Sequence, residues 1–230
     1  MTEIGFDLIS DLYLDPEESF NWEGKNTSLY CIVAGNISSN MRTVYQTLAH
    51  LSKFYQGIFF VPGLLEYKDS IDPDLRSQEL VLLTKKLPKV ALLYHHVVII
   101  DGIAILGANG WCADNEENID EHLIKNRLDD IAYLNKSIMK LQTHLDVKKI
   151  LLVTACIPRR QLYFGKIPDH VEDHIYPDYC ITSDTEMKIT NWAFGGFETD
   201  VDTVYNSIHF TNNPYLKRKP YWPKRISITI

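Results

Sequence analysis

Short apolar runs and a helical repeat of apolar residues alternate along the first part of the chain. The runs at residues 3–9, Leu29–Ala34 and Ile58–Val61 are mostly apolar, as strands buried on both faces are. Between the last two, apolar residues return every three or four positions and predict a helix near residues 40–55. The pattern is therefore β-α-β, which predicts parallel strands joined by a right-handed crossover.

The middle of the chain continues with strands and two further helices. One helix is predicted to begin near Asp72 and to stop before Pro88, and a longer one covers residues 119–145. The dipeptide Asp101-Gly102 is typical of a tight hairpin turn. The strands predicted here are Val90–Leu93, Val97–Ile100, Ile103–Leu106 and Ile150–Val153.

The last third of the chain has a different pattern. Residues 157–178 are rich in Pro, His and Tyr and predict a loop. After Cys180, apolar and polar residues alternate, which favours antiparallel strands at residues 200–205, Ile208–Thr211 and Arg225–Ile230. With neither repeats nor a linker, the sequence predicts one domain over residues 1–230. The expected fold is α/β, a four-layer α-β-β-α sandwich of two mixed sheets with the helices outside.

Composition narrows the range of functions. The 230 residues carry a formal net charge of −7, which argues against a surface that neutralises phosphates and so against nucleic acid as a partner. No apolar run approaches the roughly 20 residues of a membrane span, and no basic-then-apolar leader is evident, so no membrane association is expected. The cysteines lie far apart without a C-x-x-C pair, which predicts reduced structural thiols in an intracellular, cytoplasmic setting; they are Cys31, Cys112, Cys156 and Cys180.

Candidate chemistry lies where the predicted strands end, because ligands and metals gather at the carboxyl ends of parallel strands. Asp11 follows the first strand directly. Five such strand ends carry distinctive segments, namely Ser10–Leu14, Ala34–Ile37, Val61–Tyr67, Val153–Cys156 and Phe194–Glu198. In that order they resemble the motifs Asp-x-His, Gly-Asp, Gly-Asn-His-Glu, a His after Val-Thr, and Gly-His-x-His of the calcineurin-like metallophosphoesterases. Leu106–Trp111 and Asn213-Pro214 resemble two supporting segments of that family.

The resemblance implies the sandwich fold and a site that holds two metals, but this chain departs from the motifs at most ligand positions. Asp11 is kept, whereas the other positions of this vestigial site are Tyr13, Asn36, Leu64, Leu65, Ala155, Gly196 and Glu198. Leu, Ala and Gly side chains coordinate nothing, so the resemblance predicts no dinuclear centre and no cofactor. The expected protein is catalytically inactive, not an enzyme, and serves as a structural, protein-interaction component of a larger assembly. The alternatives are a residual metal-dependent phosphoesterase with a rearranged site and a metal-free reader of phosphates or nucleotides.

Several acidic, histidine and cysteine side chains could be functional or could simply be part of the structure. Ca²⁺ and Mg²⁺ can be bound by carboxylates alone. One hypothesis is therefore a rebuilt cation site that uses Asp11, Glu66, Glu198, Asp200 and Asp202. The alternative is that these acids are solvated on loops or, for Asp11, act as a cap. His170 and His174 are four residues apart, as zinc ligands on a helix are, but prolines bracket them and no third ligand is evident. Cys156 has no cationic neighbour in sequence that would make it a nucleophile. His95 and His96 are expected to be solvated in a turn.

Aromatic residues on predicted loops are the candidates for contact with a partner. Tyr and Trp dominate binding hot spots because they bury much area with few torsions to order. The candidate contacts are Trp22, Tyr215, Tyr221 and Trp222, and the expected partners are other protein subunits. The alternative is that each of these side chains is buried in the hydrophobic core.

Overall fold

A computed structural model describes residues 2–70, 72–111, 121–163, 187–216 and 220–230. The strands are β1 (Glu3–Ser10), β2 (Tyr30–Ala34), β3 (Gly57–Val61), β4 (Val90–Leu92), β5 (His96–Ile100), β6 (Ile103–Ala108), β7 (Lys149–Thr154), β8 (Ile189–Phe194), β9 (Asp202–Tyr205), β10 (Ile208–Asn212) and β11 (Lys224–Thr229). The helices are α1 (Met41–Leu51), α2 (Leu64–Tyr67), α3 (Pro73–Lys85) and α4 (Glu121–Thr143).

The strands form two mixed sheets, as the sequence predicts. The first has the order β11-β1-β2-β3-β4, in which β1 to β4 are parallel and β11 is antiparallel to β1. The second has the order β5-β6-β7-β8-β10-β9, with antiparallel strands at both edges and four parallel strands between them. The alternating pattern of β10 predicts antiparallel pairing alone, which is wrong for one side, since β10 runs parallel to β8.

The apolar side chains between the sheets build the central layer of the core. Phe6, Ile32 and Phe59 of the first sheet pack in one cluster with Ile105 and Leu151 of the second. The outer faces are covered by helices, α1 and α3 on the first sheet and α4 on the second. The α/β sandwich is therefore confirmed, whereas the single domain over residues 1–230 stays a prediction.

Local signals explain where the helices begin. The Asn40 side chain accepts hydrogen bonds from the Arg42 and Thr43 amides at the start of α1, and Asp72 caps α3 in the same way. The short α2 has no periodic pattern and was not predicted. Cys31 is a buried free thiol and Cys156 is also buried, while Cys112 and Cys180 lie outside the described residues. Within the described part of the chain, no helix combines the length and apolarity needed to cross a membrane.

Candidate active site

The carboxyl ends of strands from both sheets meet at one edge of the sandwich. A methyl group on Gly195, after β8, would lie 2.0 Å from the carbonyl oxygen of Ala34 at the end of β2. A methyl group on Gly35 would lie 2.5 Å from Cβ of Ala155, after β7. The loops that resemble the five motifs are thus in direct contact across the two sheets.

These loops carry a cluster of strained backbone conformations. Asp11, Tyr13 and Asn36 all have positive φ angles, of 55°, 47° and 57°. Such conformations cost free energy in residues other than glycine and concentrate at functional sites. The observation marks this edge as the candidate site independently of any motif.

Asp11 is the central side chain of the site and is only 1% exposed. Its Oδ1 accepts hydrogen bonds from Asn36 Nδ2 at 2.9 Å and from the Gly196 amide at 2.7 Å. Its Oδ2 is buried and makes no hydrogen bond of good geometry, although the Ser10 hydroxyl and the Phe197 amide also lower the pKa of this carboxyl group. Burial raises the pKa of Asp11 to about 6, although the hydrogen bonds from Asn36 and Gly196 oppose the rise. One carboxylate oxygen is therefore fixed, and the other has unused hydrogen-bonding capacity.

Glu66 has a structural task at the same edge. Its carboxylate accepts hydrogen bonds from the amides of Gly63, Asn36, Ile37 and Ser38, at 2.6, 3.0, 2.5 and 3.3 Å. Burial raises the pKa of Glu66 to about 7, and the four amides act against that rise. Glu66 thus ties the loop after β2 to the loop after β3.

The remaining positions of the vestigial site are spread over different environments. The Asn36 Oδ1 accepts from the Leu65 amide at 3.2 Å, and the Tyr13 amide donates to the Asn36 carbonyl at 2.9 Å. Ala155 is buried against Gly35. The others are Leu64 and Leu65, which are half-buried, and Gly196 and Glu198, which are exposed.

The five acids of the cation hypothesis are not brought together. Glu66 is committed to backbone amides, Asp200 pairs with Lys224, and Asp202 pairs with His209. Among the described residues, no group of three or more His, Cys, Asp and Glu side chains is arranged to hold a metal ion. His170 and His174 lie outside the described residues. Cys156 is buried, and its Sγ lies 3.7 Å from the Ile157 carbonyl oxygen.

One polar pair at the strand ends was missed. His95 and His96 are exposed, as the sequence predicts, but the Nε2 of His95 also lies 2.6 Å from Oδ1 of the buried Asp130 on α4. Asp130 Oδ2 accepts from the Gly110 amide at 2.8 Å, and burial raises the pKa of this carboxyl group. The His95 ring is stacked between Tyr94 and Tyr133. The sequence held one sign of this pair, because Asp130 is an acidic residue next to Ile131 on the apolar face of α4.

Three of the four proposed partner contacts are buried. Trp22 is 1% exposed and packs with Phe20 and Tyr55, and Tyr215 and Tyr221 join the same aromatic cluster. A contact role for these three side chains is therefore wrong for the chain as folded, because the cluster leaves them almost no surface. Trp222 is 59% exposed, and Lys25 Nζ lies 5.3 Å from the centroid of its ring.

Comparison with known proteins gives structural matches alone. No protein-family model and no curated protein matches the chain. A phosphopantetheinyl hydrolase of Mycobacterium tuberculosis superposes with a TM-score of 0.70 at 16% identity, over 97% of this chain and 96% of that one. The fold is of the metallophosphoesterase type.

Two further structures extend the comparison. A Staphylococcus aureus protein assigned as a 5′-nucleotidase, solved with α-ketoglutarate, gives a TM-score of 0.59 at 9% identity, over 99% of this chain and 51% of that one. GAP50, the anchor in the inner membrane complex of Plasmodium, superposes with a TM-score of 0.55 at 9% identity. The match covers 92% of this chain and 71% of that one. The expectation that this chain is not an enzyme is contradicted, since the Mycobacterium tuberculosis structure is named a hydrolase and the Staphylococcus aureus one is assigned as a nucleotidase.

The two-metal centre that the fold implies does not fit the residues at this edge. Asn36 places an amide donor against Asp11 Oδ1, where two metals would need anionic ligands. Leu64, Leu65 and Ala155 offer no donor atoms on their side chains. Chemistry at this edge therefore depends on the residues that are present, with Asp11 at their centre.

Proposed function

We propose that the chain is a phosphate-ester hydrolase with a rearranged site, in which Asp11 is the reactive group. A single observation carries the proposal: Asp11 Oδ1 is held by two donors, while Oδ2 makes no hydrogen bond of good geometry. A general base needs this arrangement, because it must be fixed in place and still have a lone pair to accept a proton. The fold shared with two hydrolases gives the proposal its reaction class.

The step that Asp11 would perform is proton transfer. A water molecule beside Oδ2 gives a proton to the carboxylate as its oxygen bonds to phosphorus, and the ester P–O bond breaks. The leaving alkoxide takes a proton from solvent, and Asp11 returns its proton to solvent. A pKa of about 6 leaves the carboxylate available near neutral pH. Because Oδ2 is buried, substrate must displace the loops that cover it.

The test is a hydrolysis screen with matched variants. Wild-type protein, Asp11→Asn and Asp101→Asn are incubated with aryl phosphates, phosphodiesters and nucleotides, and released phosphate or alcohol is measured. Asp101 is an exposed carboxylate in the hairpin between β5 and β6, away from the site, so its variant controls for the loss of one charge. Activity in the wild type and Asp101→Asn that is lost in Asp11→Asn supports the proposal. Lack of activity in all three, or activity that survives in Asp11→Asn, contradicts it.

A second candidate function is protein binding within a larger assembly. The exposed ring of Trp222 beside Lys25 favours it, and GAP50 has a similar fold and is an anchor. An interface of at least about 1,000 Å² is the usual floor for a specific contact. Affinity isolation from the native source with Trp222→Ala as the comparison tests it. A partner that is retained by the wild type and lost with Trp222→Ala supports this role, and equal recovery contradicts it.

A further inference from the structure

A cavity lies on the helix side of the first sheet, between α1 and α3. It has a volume of about 950 Å³ and is lined by residues of the loops after β1, β2 and α2 and by one face each of α1 and α3. The loop residues include Pro16, Ser39 and Asp69. The cavity is thus a groove between α1 and α3 that these loop residues close at one end.

The charge in this cavity is opposite in sign to that of the whole chain. Arg42, Arg76 and Lys86 line it, against the two carboxylates of Asp69 and Glu79, whereas the chain has a formal net charge of −7. The N-cap and first turn of α1 also line the cavity, and the start of a helix carries partial positive charge. An anionic group is therefore favoured here.

Arg76 has a donor that is not used in a hydrogen bond within the protein. Its side chain is 11% exposed, and its Nε is buried without a hydrogen-bond partner. Glu79 Oε2 lies 3.4 Å from that Nε, close enough for an ion pair but without hydrogen-bond geometry. The Arg76 Nε is thus paired with Glu79 by charge alone, and an oxyanion that accepts from it would supply the hydrogen bond that Glu79 does not.

The same cavity has apolar walls. On α3, Leu82 and Leu83 lie on the face that carries Arg76 and Lys86, as their spacing of three to four residues requires. Met41 and Tyr45 line the α1 side. A ligand that fills the cavity therefore combines an anionic group with an apolar body.

We propose that this cavity binds a small organic phosphate with an apolar group, through Arg76 and Lys86 on α3 and Arg42 on α1. Three cations and a helix start favour a doubly charged group over a single carboxylate. The site is separate from Asp11, and binding there requires no turnover.

The test uses phenylphosphonate, whose C–P bond a phosphoesterase does not cleave, with titration followed by calorimetry. Inorganic phosphate and benzoate are titrated in parallel. The wild type is expected to bind phenylphosphonate more tightly than either, and Arg76→Gln is expected to weaken binding about tenfold or more, the value of one charged hydrogen bond. Lys85→Gln, on the exposed part of the same helix, is the control and should bind as the wild type does.

Two further variants keep the test decisive. Lys86→Gln should also weaken binding, and being exposed it should fold even if Arg76→Gln does not. Asp101→Asn, remote from both sites, should leave phenylphosphonate binding unchanged, and loss of binding in Lys86→Gln with hydrolysis retained separates this site from the proposed hydrolytic one. The proposal is overturned if the wild type shows no saturable binding near 1 mM, the weak end of specific affinity. Equal affinity in Lys86→Gln and the wild type overturns it as well.

Discussion

The side-chain amide of Asn36 donates a 2.9 Å hydrogen bond to Asp11 Oδ1. Two carboxylates at these positions would repel each other without a cation between them, whereas an amide and a carboxylate are complementary. The same Asn36 side chain accepts from the Leu65 amide, so it joins the loops after β1, β2 and β3. The Asp11–Asn36 pair thus stabilises the edge of the sandwich by hydrogen bonding alone.

Asn36→Asp should therefore destabilise the protein in a pH-dependent way. At pH 7.5 the new carboxylate lies beside Asp11 in a buried setting, and we expect a loss of about 3 kcal/mol in the free energy of unfolding. At pH 4.5 the loss should be smaller, because one carboxyl group of the pair is protonated. Urea unfolding of the variant and the wild type at both pH values measures this loss in the free energy of unfolding.

The control for this variant is Asn26→Asp, an exposed asparagine in the loop before β2. It should change stability by less than about 0.5 kcal/mol, as surface substitutions do. An equal loss for Asn36→Asp at the two pH values would contradict the account of the pair. Recovery of the lost stability on adding Mn²⁺ would show that a cation site has formed.

Asp11→Asn should become more stable relative to the wild type as pH rises. The pKa of Asp11 rises from 3.8 to about 6 on folding, which corresponds to about 3 kcal/mol. The wild type has the full benefit of the protonated group below pH 4 and loses it as pH rises through 6. The difference in free energy of unfolding between variant and wild type, measured from pH 4 to 8, should therefore increase. A difference that stays constant with pH would mean that burial does not shift this carboxyl group.

Sequence patterns predicted the sheets well because a buried strand must be apolar along its length, as β2 and β3 are. They did not predict the parallel partner of β10, because alternation reports one solvated face and not strand direction. They also failed for Trp22, since a loop position does not decide exposure. They did not reveal the contact of the exposed His95 with Asp130, since that partner on α4 is 35 residues away. For the candidate site, the sequence brought Asp11 and Asn36 together through the resemblance, but only the structure shows which atoms pair.

Trp22→Ala and Trp222→Ala form a matched pair of substitutions. Trp22 is buried in the aromatic cluster, so its loss should lower the free energy of unfolding by about 3–5 kcal/mol. Trp222 is exposed, so its loss should cost less than about 0.5 kcal/mol. Chemical unfolding measures both, and comparable losses would contradict the burial assignment.

Gly195→Ala tests the contact between the two sheets at the site. The added methyl group would lie 2.0 Å from the Ala34 carbonyl oxygen, so backbone must move, and we expect a loss of about 3 kcal/mol or more. In Gly57→Ala the nearest atom is a side-chain carbon of Tyr30 at 3.2 Å, and the loss should be below about 1 kcal/mol. Thermal unfolding of both variants gives the comparison, and similar melting temperatures would mean that the loops are not in contact.

The central claim, that Asp11 is the reactive carboxylate of a hydrolase, is tested most directly by the pH dependence of kcat/KM. For the best phosphate ester found in the screen, the account predicts a rate that rises with pH through about 6, because the base must lose its proton to act. In Asp11→Asn that rise should be absent and the rate should fall by about 10²-fold or more. A profile without an ionisation near pH 6, or one that Asp11→Asn leaves unchanged, would contradict the claim.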